Sequence, residues 1–113
     1  MTVFAMLHMP SSAKYTAFAL QSLLDSTQFA FDDQVLLIDH CGGYSPVPAQ
    51  VKYVVAPGAI TFAQKANFAL RHAMAFGADL WLLSNDVHFT PKWRDAAEGC
   101  DSVIALPACN QLM

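Results

Sequence analysis

The chain has 113 residues, with 55% hydrophobic residues, 13% charged residues and a formal net charge of -3. That length sets a single domain, 1–113, large enough to bury a core. The acidic balance and the lack of a basic patch exclude an electrostatic footprint for nucleic acid. The apolar surplus predicts either strands buried on both faces or a surface covered by another copy or a partner chain. No apolar run approaches the roughly 18 residues of a membrane span, and the first residues read as a strand rather than a leader. Three cysteines, Cys41, Cys100 and Cys109, are odd in number and widely spaced. They predict free thiols in a reducing, cytoplasmic setting. Four histidines at 8, 40, 72 and 88 lie far apart and suggest no preformed zinc site.

Thr2–Leu7 is rich in apolar residues and is the first expected strand. Ser11 and Ser12 follow Pro10 and are placed to cap a helix over residues 13–26. Ala13, Ala17, Leu20 and Leu24 set its helical period, with Thr16 and Leu23 beside them. Gln34–Asp39 reads as a second buried strand ending in an acid, and His40-Cys41-Gly42-Gly43 as a flexible turn. Val51–Val55 is a third strand. A helix then runs from 60 or 61 to about 76, with Thr61 as its cap and Gly77 as its stop. Residues 80–83, Leu-Trp-Leu-Leu, are a fourth strand leading into Ser84-Asn85-Asp86. A short helix at 91–98, with Pro91 at its start, and a fifth strand at 102–106 complete the chain. Strand-helix alternation of this kind implies parallel crossovers and an α/β, three-layer, Rossmann-like and mostly parallel sheet.

Ligands of open α/β sheets sit at the carboxyl edge of the strands. Asp39 and Asp86 both fall there. Asp39 precedes a Gly-Gly turn that lets backbone approach a ligand, although a strand-ending Asp also simply accepts hydrogen bonds from turn amides. Asn67 falls in the stripe Ala63-Asn67-Leu70-Met74, where an apolar residue is expected. A buried amide there requires partners, from a neighbouring loop or a ligand. Asp86 and Asn85 offer oxygen donors suited to Mg²⁺ or Mn²⁺ beside the phosphates of a nucleotide. His88 reads as a loop histidine, and Trp81 and Trp93 as core or interface residues.

Three motifs in this order resemble the nucleotide-binding half of family 2 (GT-A fold) glycosyltransferases. Leu37-Ile38-Asp39-His40-Cys41-Gly42-Gly43 is similar to the family's Val-Asp-(Asn/Asp)-Gly-Ser. The stretch from Pro57 and Gly58 to Asn67 and Ala69 resembles the family's Asn-x-Gly-(x)-Ala-x-Ala-x-Asn-x-Gly. Leu83-Ser84-Asn85-Asp86-Val87 resembles the Leu-Asn-Asn-Asp-Val variant of its Asp-x-Asp motif, with Pro91 and Trp93 following. The resemblance spans residues 3–106. It implies a domain that binds a nucleotide-diphosphate sugar, with Asp39, Asn67, Ser84 and Asn85 at the nucleotide and Asp86 on Mg²⁺ or Mn²⁺. His40 and Cys41 depart from the pattern, as does Ser84 in place of the first acid. Inverting transfer also needs a general base. After Asp86 the only acids are Asp95, Glu98 and Asp101, in a stretch that reads as surface, so the acceptor-binding half is missing from the expectation. Three outcomes follow: a donor-binding domain incomplete alone, a transferase completed by a homo-oligomer or partner chain, or a non-enzymatic oligomeric interaction module with a decayed site.

Overall fold

A computed structural model describes residues 1–98 and 110–111. The strand expected at 102–106, together with Cys100, Asp101 and Cys109, lies outside the described residues. Strand β1 (Thr2–Leu7) is followed by a 3-10 helix, Pro10–Tyr15, and helix α1, Thr16–Ser26. Then come β2 (Gln34–Asp39), β3 (Val51–Val55), α2 (Phe62–Phe76) and β4 (Asp79–Ser84). A short strand β5 (Val87–His88), helix α3 (Trp93–Glu98) and strand β6 (Asn110–Gln111) complete the elements.

The four long strands form one all-parallel sheet in the order β3-β2-β1-β4, and β5 pairs antiparallel with β6. Central β1 is buried at all six positions. Its alternate side chains enter two separate clusters, as expected of a strand covered on both faces. Phe4 and Met6 join Val35, Leu37 and Leu83 beneath Ala19, Leu20 and Leu23 of α1, with Phe89 and Trp93. Val3, Ala5 and Leu7 join Leu36 and Ile38 beneath Ala69 and Ala73 of α2. Each large side chain so buried contributes roughly 1.5–3 kcal/mol.

Helix α2 has the ends that its sequence predicts. The Thr61 hydroxyl accepts from the Gln64 amide, the Gln64 side chain accepts from the Thr61 amide, and Gly77 closes the helix at φ 62°. Helix α1 differs from expectation. Residues 10–15 form the 3-10 segment, Ser12 is non-helical, and neither Ser11 nor Ser12 supplies a side-chain cap. The α-helix begins only at Thr16, and its buried stripe is Thr16, Ala19, Leu20 and Leu23, whereas Ala13 and Ala17 are exposed. Thr16 is drawn inward by polar partners at the sheet edge, which rotates the helix away from the stripe that apolar spacing alone selects.

Register decides which residues meet at the carboxyl edge. Leu7 lies opposite both Ile38 and Ser84, and the His8 amide donates to Ile38 O at 2.8 Å. The next residue of each strand, His8, Asp39 and Asn85, therefore stands in one row.

Candidate functional site

The row at the carboxyl edge is polar and buried. Asp39 Oδ1 accepts from the His40 amide at 2.7 Å and the Cys41 amide at 3.3 Å. Its Oδ2 accepts from the Tyr53 hydroxyl at 2.5 Å. Burial alone would raise the Asp39 pKa, but the bonds from Tyr53, Cys41 and His40 and the nearby His8 outweigh it, so the carboxyl is held below its ordinary value. Burial and the carboxylate together push the Tyr53 phenol up, and burial does the same to Tyr44. Asp39 thus does what a strand-ending acid does for a turn, and it also anchors a tyrosine from β3.

Lys65 is the residue that sequence reasoning missed. It is 0% exposed, and its Nζ donates to Ile60 O at 2.8 Å and lies 3.0 Å from His40 Nδ1. Burial lowers its pKa, with the attraction of Asp39 and Cys41 opposing the shift. The signal was present in the spacing: Lys65, Ala69 and Ala73 recur every four residues and form the inward stripe of α2.

That stripe corrects the placement of Asn67. Ala63, Asn67, Leu70 and Met74 are all exposed, so Asn67 is not a buried amide in an apolar face. Alanines and one lysine take the inner face because α2 lies close on the sheet. Asn67 instead lines a cleft of about 470 Å³ with Gln64, Phe68, Arg71 and the loop of Ala56, Pro57, Gly58 and Ala59. None of His8, Asp39 and Asn85 lines this cleft.

On the β4 side, Asn85 is buried and ties three segments together. Its Nδ2 donates to Thr16 Oγ1 at 2.9 Å and to Met9 O at 3.3 Å. Its Oδ1 has no hydrogen-bond partner among the described residues. His8 Nδ1 lies 2.9 Å from the same Thr16 hydroxyl, and its ring packs edge-on against Tyr44, with centroids 5.3 Å apart. Burial, with Lys65 and His40 nearby, lowers the His8 pKa despite the pull of Asp39. A neutral His8 can accept the Thr16 proton at Nδ1 while Thr16 accepts from Asn85 Nδ2, which pairs these three atoms and leaves Asn85 Oδ1 without a partner among the described residues. Ser84 Oγ donates to Asp86 Oδ1. Asp86 is half-buried at the rim, outside the buried row.

The five residues named from sequence therefore separate by role. Asp39 and Asn85 are buried within the edge, Ser84 and Asp86 form its rim after β4, and Asn67 stands apart on the cleft. Two cation options follow from the donor chemistry. Ser84 and Asp86 present hard oxygens, whereas Asp39, His40 and Cys41 present mixed ligand atoms that all lie within 4.8 Å of one another. Among the described acids after Asp86, Glu98 pairs with Arg94 at 2.8 Å and Asp95 is exposed. Compared with protein-family models, curated proteins and solved structures, the chain gives no significant match.

Proposed function

We propose that this chain is a GT-A-like, three-layer α/β domain that binds a nucleotide-diphosphate sugar at the carboxyl edge. One observation carries the proposal. From β1 the chain steps to β2 and β3 on one side, then returns to β4 on the other. The sheet order reverses between β1 and β4, which is where open α/β sheets leave a ligand crevice. His8 follows β1, and Ser84 ends β4 with Asn85 and Asp86 after it, so the polar residues flank that switch point.

Asp86, with Ser84 beside it, supplies the oxygen donors that suit Mg²⁺ or Mn²⁺, and such ions often need only one or two carboxylates plus substrate oxygens. When bound, the ion supplies charge neutralisation on the diphosphate. The chain's own residues shape the crevice: Asn85 and Thr16 fix the rim after β4 to the head of α1, while Asp39 fixes the His40-Cys41 turn. Lys65 places a nitrogen between that turn and the loop before α2. No residue among the described ones is positioned as a general base, so the proposal is of donor binding.

Calorimetric titration of UDP, GDP and TDP, with and without Mn²⁺, against wild type and Asp86→Ala tests this. Manganese-dependent binding that is lost in Asp86→Ala supports the proposal. Failure of all three nucleotides to bind refutes it.

A second reading, an oligomeric interaction module, is favoured by a different observation. Leu70 and Met74 on α2 are 48% and 70% exposed, and Leu82 on neighbouring β4 is 43% exposed. Large apolar side chains left exposed on two packed elements suit an interface. Light scattering on wild type and Leu70→Lys/Met74→Lys separates the readings: a monomer at high concentration removes the second.

A further inference from the structure

We infer that Asp39, His40 and Cys41 form a site for a thiophilic divalent cation such as Zn²⁺, distinct from the oxygen donors at Asp86. The ligand atoms of three consecutive residues converge because of how β2 ends. Asp39 Oδ1 takes both following amides, which draws the turn back over its own carboxylate. Gly42 at φ +80° and Gly43 at φ +86° then reverse the chain in a conformation that side chains disfavour. The result is one carboxylate, one imidazole and one thiol whose ligand atoms are mutually within 4.8 Å. In a tetrahedral zinc site, ligand atoms stand about 3.5 Å apart. The present spacing is wider than that, so the His40 and Cys41 side chains must close on the anchored Asp39 carboxylate as an ion binds.

The chemistry of the three donors selects the metal. Thiolate and imidazole favour zinc and its neighbours over magnesium or calcium. Three protein ligands leave a fourth position open, as in sites that take water or a substrate. Burial is graded in the useful sense: Asp39 is buried and anchored, His40 is half-buried, and Cys41 is exposed, so an ion enters from the Cys41 side. The surroundings already hold a cation, since Lys65 Nζ lies 3.0 Å from His40 Nδ1. Lys65 is therefore a competitor for the incoming ion. Binding releases the Cys41 thiol proton to solvent as the thiolate forms.

The test is titration of the reduced full chain with Co²⁺, followed by the thiolate-to-cobalt charge-transfer absorbance, with Zn²⁺ then added to displace it. No nucleotide is present, so the outcome is independent of the donor-binding proposal, and Asp86→Ala is expected to behave as wild type. A one-to-one band is expected in wild type and in Cys100→Ser/Cys109→Ser, with loss in Cys41→Ser. Cys41 is exposed, so Cys41→Ser folds, and circular dichroism checks it. Lys65→Met is expected to tighten Co²⁺ about tenfold by removing a like charge. No band in wild type overturns the proposal. So does a band that survives Cys41→Ser or vanishes in Cys100→Ser/Cys109→Ser.

Discussion

Thr16→Val tests the polar seam that joins β1 to β4. Thr16 is 0% exposed, and its hydroxyl is shared by His8 Nδ1 and Asn85 Nδ2 at 2.9 Å each. Valine keeps the shape and removes only the hydroxyl, so the change isolates hydrogen bonding from packing. His8 Nδ1 then loses its partner, and Asn85 Nδ2 keeps only the longer bond to Met9 O at 3.3 Å. An unsatisfied buried group costs about 1–3 kcal/mol, and with one and a half such groups the loss is about 2–4 kcal/mol. At a urea m-value of about 1.5 kcal/mol/M, the midpoint falls by roughly 2 M. Thr16→Ser keeps the hydroxyl and loses one methyl, so it costs only about 1 kcal/mol. Equilibrium urea unfolding by circular dichroism reads both. A loss under about 0.5 kcal/mol for Thr16→Val would refute the reasoning, because water would then be satisfying His8 and Asn85.

Acid should destabilise the fold in two stages. The folded His8 pKa lies below 6.5, so as pH falls from that value the unfolded chain takes up a proton first and stability drops. The folded Asp39 pKa lies below 3.8, so its contribution is present above that value and is lost as pH falls through the folded one. His8→Gln should flatten the first stage and leave the second, read from urea midpoints across pH. Asp33 accepts from the amides of Thr2 and Ala30 and from Arg94 at 2.8–3.0 Å. Asp33→Ala should therefore cost about 2–4 kcal/mol in thermal or urea unfolding. Thr61→Ala removes one half of the capping box of α2 and should cost about 1 kcal/mol by the same assay.

Local chemistry made much of the fold legible. β2, β3 and the two ends of α2 follow from runs of apolar residues and from Thr61, Gln64 and Gly77, each acting within a few positions of itself. The helix faces were not legible, because amphipathic reasoning assigns large apolar residues inward. In α2 the inward face is Lys65, Ala69 and Ala73, and the large residues Leu70 and Met74 lie outside. A lysine is also expected in water unless a partner is visible; Ile60 O is local, but His40 Nδ1 belongs to a turn that only the fold brings near. His8 was hidden for the same reason. It is 32 residues from His40 in sequence, yet β1 and β2 are paired neighbours, and their ends place both histidines beside Asp39. Asp39 and Asp86 were legible as strand-end acids, because that inference needs only the strand and its terminus.

The distribution of buried polar groups bears on why the edge is built this way. Thr16, His8, Asp39, Lys65 and Asn85 are all buried at the carboxyl edge. A core selected for stability alone has little use for a buried lysine, since apolar replacements of buried charged groups are often neutral or stabilising. Lys65→Met therefore separates function from structure. Methionine keeps the length of the stem and removes a group whose protonated form burial disfavours. It also removes the bond to Ile60 O, which belongs to an exposed residue at a loop. Stability should rise by about 1 kcal/mol or stay unchanged in urea unfolding. Nucleotide affinity should fall, because the nitrogen between the His40 turn and the loop before α2 is gone. A large loss of stability would assign Lys65 to structure, as a pin between β2 and α2. Unchanged affinity with unchanged stability would remove Lys65 from the crevice altogether.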